Sequence, residues 1–220
     1  ARYELRTPDY WMANYFSNHY VWSNSFAKES ETRFSVTLSA PHIGAEVGVD
    51  QVISTNKVYY GPDAVPVQHN GSVSVTGLYA QKDFRIGGLH LNHRVLLQFS
   101  SAQEVVPVPL ATNDDVEKIS YFYEFNVVKG VLRLQLGLDG RYNTKYYAFG
   151  YNPAVGQFYN QREKELGNYP FVDFFVAAKW KRMRIFAKLQ HLNEGLFGGR
   201  DSFTVLHYPL NKRVLKVGFS

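Results

Sequence analysis

Serine, asparagine and histidine lie together near the start of the chain, at Ser17-Asn18-His19, with Ser23 close behind. These residue types can cleave an ester when a base activates a hydroxyl and a third group orients that base. No orienting group can be placed by spacing, and the chain has no G-x-S-x-G sequence. We therefore interpret the segment as a polar strand or loop, with a lipid-modifying enzyme as the alternative.

Carboxylates and histidines are the candidates for metal binding. Asp114-Asp115, and Glu163 with Glu165, fall in predicted loops where oxygen ligands could hold Ca²⁺, although a solvated loop is the preferred interpretation. The 7 His include no pair at the helical i, i+4 spacing of a zinc site, and the chain has 0 Cys. We expect no metal and no cofactor.

Charged and amide side chains recur at alternate positions of several segments. These residues are Arg94, Glu124, Arg133, Gln135, Asp139, Arg141, Asp173, Lys179, Arg184 and Lys188. On one face of a closed sheet they would line the interior, either as a pore that selects solutes by charge and size or as a plug of cross-strand ion pairs. Arginine and lysine outnumber the carboxylates, which favours polar or anionic solutes.

The elements that position these residues are β-strands, because the dominant sequence period is two. Leu132, Leu134, Leu136 and Leu138 share one phase, and the charged residues of the same segment share the other. Leucine is not a preferred strand former, so its regular use suggests a face selected for apolarity. We predict about twelve strands of roughly 9 to 11 residues, the length that a tilted membrane strand needs.

Short and long connections alternate along the chain. Tight links are predicted at Pro41-His42, Gly87-Gly88, Lys129-Gly130 and Lys181-Arg182. Long ones are predicted at 101–117, 151–170 and 193–201. Short turns at one end and long loops at the other are typical of outer-membrane barrels, whereas the strands of soluble β-sandwiches are usually shorter. A soluble sandwich that binds a ligand is the more distant alternative.

Composition fits one membrane barrel. The 220 residues are 45% hydrophobic and 20% charged, which argues against disorder, and their 16% aromatic content could supply girdles at two membrane interfaces. Trp180 beside Lys181-Arg182, and Tyr146, Tyr147 and Phe149 before a long loop, are girdle candidates, with ordinary core aromatics as the alternative. The net charge of +5 is spread along the chain, so we expect no nucleic-acid partner.

Motifs in a fixed order carry a family resemblance. They are Ser17-Asn18-His19 with Trp22 and Asn24, Val58-Tyr59-Tyr60, Pro66-Val67-Gln68, Gln98-Phe99-Ser100-Ser101, Val108-Pro109-Leu110, Tyr151-Asn152-Pro153-Ala154, Phe158-Tyr159 with Gln161, Gly167-Asn168-Tyr169-Pro170, Asp173, Phe175, Lys179, His191-Leu192-Asn193, Tyr208-Pro209 and Lys216-Val217-Gly218-Phe219-Ser220. Their order resembles the putative-porin family of the Bacteroidetes. The resemblance implies an outer-membrane barrel, of which this chain looks like the C-terminal part.

Together these observations predict an all-β fold, an antiparallel transmembrane β-barrel of about 12 or more strands, with residues 1–220 as a single domain or the C-terminal portion of a longer one. The predicted function is passive diffusion of small polar or anionic solutes across a bacterial outer membrane. A non-conducting structural subunit of a larger outer-membrane complex is the second hypothesis. Outer-membrane lipid is the expected partner, together with a homo-oligomer or such a complex. No visible signal peptide precedes Ala1, so we expect either that it was removed or that the sequence starts inside a longer chain.

Overall fold

The computed structural model describes residues 1–112, 119–196 and 203–220. Its strands, in chain order, are β1 (Arg2–Arg6), β2 (Asn14–Phe16), β3 (Val21–Ser23), β4 (Glu29–Ala40), β5 (Ala45–Thr55), β6 (Val58–Tyr60), β7 (Pro66–Gln68), β8 (Ser72–Ile86), β9 (Leu89–Ser100), β10 (Ala111–Thr112), β11 (Ile119–Val128), β12 (Leu132–Arg141), β13 (Gly150–Asn152), β14 (Gln157–Tyr159), β15 (Phe171–Trp180), β16 (Met183–Gln190), β17 (Phe203–Val205), β18 (Tyr208–Pro209) and β19 (Val214–Phe219). Helix is limited to α1 (Tyr10–Ala13) and a 3₁₀ turn at Pro41–Ile43. No helix in these ranges has the length and apolarity needed to cross a membrane.

One 11-stranded antiparallel sheet dominates the fold. Its order is β1-β4-β5-β8-β9-β11-β12-β15-β16-β19, with β10 paired to β9. Neighbours in the sheet are therefore also neighbours among the long strands of the sequence. The remaining strands form two-stranded hairpins within the connections, and within the described ranges β1 pairs only with β4 and β19 only with β16. The predicted all-β antiparallel fold is confirmed.

The registers assign every residue of the sheet to one of two faces. Directly opposed residues on antiparallel strands share a face, and alternate residues along a strand do so too. In β12 the face that carries Leu132, Leu134, Leu136 and Leu138 is opposed in β15 by Trp180, Ala178, Val176 and Phe174. We call this the apolar face and the opposite one the polar face. The predicted segregation of side chains is confirmed in these strands.

The apolar face has no second layer of protein over it among the described residues. Leu38 is 68% exposed, Leu138 43% and Val217 71%, although each lies within a hydrogen-bonded strand. Soluble monomers rarely expose contiguous apolar patches of more than a few hundred Å². A surface of this kind needs an apolar partner, and the leucines of β12 are not packed inside a second sheet.

The connections separate the two ends of the sheet; the four predicted tight links are observed, whereas the sequence predicted only three of the five long connections. At one end, strands are joined by tight links at 41–44, 87–88, 129–131 and 181–182. At the other end they are joined by the long connections 7–28, 56–71, 101–118, 142–170 and 191–213, as far as these are described. We refer to the turn end and the loop end of the sheet.

Buried hydrophobic residues concentrate at the loop end rather than between layers of sheet. Trp22, Tyr60, Val105, Ala148 and Leu206 are buried, and each belongs to a different long connection or to a short strand within one. Trp22 stacks on Tyr15 and meets Tyr60 edge to face. The long connections therefore pack on one another as a loop layer, which is the main hydrophobic core of the described chain.

Three glycines of the sheet lie beneath aromatic rings on the polar face. Gly48 is opposite Tyr79, Gly137 is opposite Phe175, and Gly218 is opposite Phe186. A Cβ at Gly137 would lie 2.5 Å from Phe175 Cζ and 2.6 Å from Phe122 Cβ. The absent side chain leaves room for the ring of the neighbouring strand, a device that also lets strands curve.

Candidate functional site

The polar face holds all the residues that the sequence predicts to line an interior. Direct opposition links Glu124 to Gln135, Arg133 to Lys179, and Lys179 to Arg184. Asp139 and Asp173 are opposed as well, and Arg94, Arg141 and Lys188 fall in the same phase of their strands. The shared face agrees with the sequence prediction, but a role of these residues in a pore stays a prediction.

A cluster of ion pairs occupies the loop-end half of this face. The side-chain nitrogen of Lys188 lies 2.8 Å from Asp139 Oδ2 and 2.9 Å from Asp173 Oδ2. Ser120 donates its hydroxyl to Asp139 Oδ1 at 2.8 Å, and the backbone N–H of His191 donates to Asp173 Oδ1 at 3.0 Å. Arg141 lies 3.8 Å from Asp173 Oδ2. We call these residues the carboxylate cluster.

Because its two carboxylates are buried, this cluster is stable only with a cation beside them. The side chains of Asp139 and Asp173 are only 4% and 2% exposed, and they lie directly opposite each other on β12 and β15. Like charges placed opposite each other in a sheet destabilise it, and a buried carboxylate needs a cation and hydrogen-bond donors. Lys188 supplies the cation that bridges both aspartates, which explains why a lysine lies beside them on the polar face.

A row of cations occupies the turn-end half of the polar face. Arg133, Lys179 and Arg184 are directly opposed on β12, β15 and β16. Glu124 Oε1 lies 3.2 Å from Arg133 Nη1, and its other oxygen accepts a hydrogen bond from Gln135 Nε2 at 2.6 Å. Among the described residues, Glu124 is the carboxylate in contact with this row. The cationic row therefore keeps an excess of positive charge.

Arg94 belongs to neither group. Its guanidinium carbon lies 5.4 Å from the centre of the Tyr79 ring, on the neighbouring strand β8. Tyr79 in turn covers Gly48 and accepts or donates a hydrogen bond at 2.6 Å with Thr37. The polar face thus also carries the aromatic ring of Tyr79, which the pattern of charged residues does not predict.

Residues 142–170, which we call the crossing loop, contact all four of the other long connections. Asn152 Nδ2 donates to the Tyr20 hydroxyl at 2.7 Å, and the Asn160 N–H donates to the Tyr60 carbonyl at 2.8 Å. Asn160 Nδ2 also donates to the carbonyl of Val105 at 2.8 Å, and the N–H of Leu206 donates to the carbonyl of Phe149 at 3.3 Å. A loop between β12 and β15 therefore reaches the connections at both ends of the strand order.

His191 and Tyr169 link the crossing loop to the carboxylate cluster. His191 Nδ1 lies 2.7 Å from the Asn211 carbonyl, so this nitrogen carries the proton that it donates, because a carbonyl only accepts. His191 Nε2 lies 2.8 Å from the Tyr169 hydroxyl, which is also 3.0 Å from the Asn193 carbonyl. Burial raises the pKa of the Tyr169 hydroxyl above its ordinary value, and the charge of Glu194 adds to the effect.

The other candidates from the sequence are not brought together. The Ser17 hydroxyl is used within its own turn, where it accepts hydrogen bonds from the backbone N–H groups of His19 and Tyr20. Glu163 lies 3.3 Å from His207 Nε2, and Asp114-Asp115 lie outside the described residues. In the described ranges no group of three or more His, Asp or Glu is placed to hold a metal ion.

The girdle candidates separate in the structure. Trp180 ends β15 at the turn end, on the apolar face, and is 51% exposed. Tyr146, Tyr147 and Phe149 lie in the crossing loop, and the backbone of Tyr146 pairs with that of Leu166. Trp180 therefore has the predicted strand-end position, whereas the other three belong to the loop layer.

Comparison with known proteins gives one family. Residues 1–220, the whole chain, match a family model described as "Putative porin". No curated protein matches the chain. The resemblance seen in the order of the sequence motifs is confirmed.

Proposed function

Because the chain belongs to the Putative porin family, we propose that it forms part of an outer-membrane channel for the passive diffusion of small polar or anionic solutes. The observation that carries the proposal is the division of the sheet into an uncovered apolar face and a charged polar face. Transmembrane barrels need this division, with lipid on one side and water or side chains on the other. No catalytic step is part of the proposal.

The anion preference rests on the cationic row. Arg133, Lys179 and Arg184 lie side by side on adjacent strands with Glu124 as their described counter-charge. A pore that bears an excess of fixed positive charge concentrates anions and repels cations, and rings of arginine and lysine give anion selectivity to other pores. The carboxylate cluster contributes less to this preference, because its aspartates are bridged by Lys188.

The crossing loop is proposed to narrow the path. It bonds to connections from strands at both ends of the sheet order, through Asn152 to Tyr20 and through Phe149 to Leu206. In a closed barrel such a loop would extend across the mouth and set the size of the solutes that pass. This supports diffusion of small molecules rather than of large ones.

A non-conducting structural subunit is the second candidate. It is favoured by the rings of Phe122, Phe175 and Phe186, which lie on the polar face and occupy space beside Gly137 and Gly218. Together with the loop layer, these rings could fill the interior of a narrow barrel. In that case the barrel would serve as a scaffold in an outer-membrane assembly.

Conductance distinguishes the two candidates. The protein is reconstituted into planar lipid bilayers with a tenfold KCl gradient, and the current and reversal potential are recorded. We expect discrete openings and a reversal potential shifted from zero towards the equilibrium potential of chloride. The double variant Arg133→Glu with Arg184→Glu should shift the reversal potential towards the equilibrium potential of potassium. Arg182→Glu, in the turn, should leave the reversal potential nearly unchanged. No current from folded protein would favour the scaffold, and potassium preference in the unmodified protein would refute the anion channel.

A further inference from the structure

A cavity of about 370 Å³ lies where the polar face meets the loop layer. Its walls come from the loop-end residues of β12, β15, β16 and β19, from the crossing loop, and from residues 203–212 of the last long connection. Small-molecule sites occupy about 300–1,000 Å³, so this cavity is large enough for a ligand at the small end of that range.

The described lining carries cations and no carboxylate. Arg141, Lys212 and Lys216 contribute to it, and no Asp or Glu does so among the residues that the structure describes. Aromatic rings of Tyr142, Tyr146 and Phe171 and amides of Asn143, Gln190 and Asn211 complete the part of the lining that concerns ligand binding. The cavity therefore combines positive charge, ring faces and neutral hydrogen-bonding groups.

Arg141 keeps its donors available. Its guanidinium carbon lies 4.3 Å from the centre of the Phe171 ring, which fixes the plane of the group. Its distance of 3.8 Å from Asp173 Oδ2 is too long for a direct hydrogen bond, and Lys188 lies between the two aspartates at closer range. Within the described ranges no hydrogen bond uses the N–H groups of Arg141, and a guanidinium held in this way is suited to a bidentate contact with an oxyanion.

Lys216 adds charge that the sheet itself does not neutralise. It is directly opposite Lys188 on β16, whose charge is taken up by Asp139 and Asp173. Lys216 is exposed, and in the described part of the chain it has no carboxylate within ion-pair distance. Two lysines in direct opposition repel each other, so an anion beside Lys216 would reduce this electrostatic repulsion.

We infer that this cavity binds an anionic monosaccharide, with the acidic group on Arg141 and Lys216 and the sugar ring against Tyr142. The inference rests on the proposed function and deepens it, because the cavity lies on the face that solutes would follow. The acidic group can be a carboxylate or a phosphate, since both match a guanidinium edge. The amides that line the cavity suit the sugar hydroxyls.

The test is equilibrium binding to the whole protein in detergent, measured by isothermal titration calorimetry. The probes are glucuronate, glucose 6-phosphate and neutral glucose. We expect both anions to bind at least tenfold more tightly than glucose and to weaken when NaCl is raised from 50 to 500 mM. The ratio of the two anions tells whether carboxylate or phosphate is preferred. Binding of both anions no tighter than that of glucose would overturn the inference.

Variants locate the site. Arg141→Gln should weaken anion binding at least tenfold, and the double variant Lys212→Gln with Lys216→Gln, which changes only exposed side chains, should weaken it several-fold. Arg182→Gln removes the same kind of charge at the turn end and should leave affinity unchanged. Unaltered binding in both cavity variants would place the anion elsewhere and refute the site.

The two proposals fail separately. A protein that conducts ions but binds neither anion better than glucose retains the channel and loses the cavity site. A protein that binds either anion through Arg141 but passes no current retains the site and loses the channel.

Discussion

Asp139 and Asp173 lie directly opposite each other on β12 and β15, and Lys188 from a third strand bridges both carboxylates at 2.8 and 2.9 Å. Their side chains are 4% and 2% exposed, so removing the lysine would leave two buried like charges without the cation that bridges them. Lys188→Met should lower the free energy of unfolding by about 3–5 kcal/mol, the usual cost of breaking a buried pair from one side. Urea unfolding in detergent, followed by tryptophan fluorescence, measures this loss.

Lys216→Met is the matched control for that change. Lys216 is the cross-strand neighbour of Lys188 but contacts neither aspartate in the described residues. Its removal should alter the free energy of unfolding by less than about 1 kcal/mol. Similar losses in the two variants would mean that the bridge contributes little and that general strand propensity is being measured.

Leu136→Arg tests whether the apolar face meets lipid. Leu136 lies in the middle of β12 and is 38% exposed on the apolar face. An arginine at the midplane of a bilayer costs about 2–4 kcal/mol in a transmembrane strand. Unfolding from lipid vesicles should show this loss, whereas Ser35→Arg, on the polar face opposite Asp50, should not. Equal effects would argue that water covers both faces.

Gly137→Ala tests the packing of rings on the polar face. The added carbon would meet Phe175 Cζ at 2.5 Å and Phe122 Cβ at 2.6 Å, and the latter atom cannot move without its strand. Overpacking of this kind costs about 1–3 kcal/mol. Gly48→Ala, which meets only the outer part of the Tyr79 ring, should cost less in the same urea assay. The opposite order would contradict the arrangement of the rings.

Asn160→Ala should loosen the crossing loop. The side-chain amide of Asn160 donates to the carbonyls of Glu104 and Val105 at 2.7 and 2.8 Å, and the residue is buried. Losing both bonds should cost about 1–3 kcal/mol of local stability and speed cleavage by trypsin after Arg162 and Lys164 about tenfold or more. Gln157→Ala, at an exposed position of the same loop, should leave the cleavage rate unchanged.

Tyr169→Phe tests the alkaline behaviour of the loop layer. Burial raises the pKa of the Tyr169 hydroxyl, with the charge of Glu194 as a second cause. In the unfolded chain the hydroxyl loses its proton first, near pH 10, so its contribution to stability is complete below that pH and is lost as the pH rises towards the folded pKa.

The variant should therefore show two effects. At pH 8 it lacks the bonds to His191 and Asn193, which should cost about 1–2 kcal/mol. Between pH 8 and 11 its stability should fall less than that of the unmodified protein. Urea unfolding at both pH values measures the difference, and an equal fall in the two proteins would remove Tyr169 as the cause.

The two faces of the sheet could be predicted from sequence, because alternation of side chains along a strand is a local property. Leu132 to Leu138 fall on one face and Arg133 to Arg141 on the other, as their spacing indicates. The bridge from Lys188 to Asp139 and Asp173 could not be predicted, since it depends on the register of three strands across separate connections. Charge alone does not select one register from several.

The loop layer was beyond sequence reasoning for a different reason. Its contacts join aperiodic segments, such as Tyr15 with Ala154 and Asn160 with Val105, and no spacing rule relates such residues. Tyr146 and Phe149, which the sequence suggests for a membrane rim, lie in the crossing loop. The sequence places these residues at the correct end of the sheet, but the residues that they contact there depend on the tertiary structure.

The order of the strands also has a consequence for folding. Every long strand pairs with its neighbours in sequence, so the sheet can grow by adding one hairpin at a time to an existing edge. The bonds of Tyr15 to Ala154 and of Asn152 to Tyr20 join residues 139 and 132 positions apart, and can form only when the early and late hairpins are both in place. The nascent protein should therefore pass through a stage in which its strands are paired but its long connections are not yet bonded to one another.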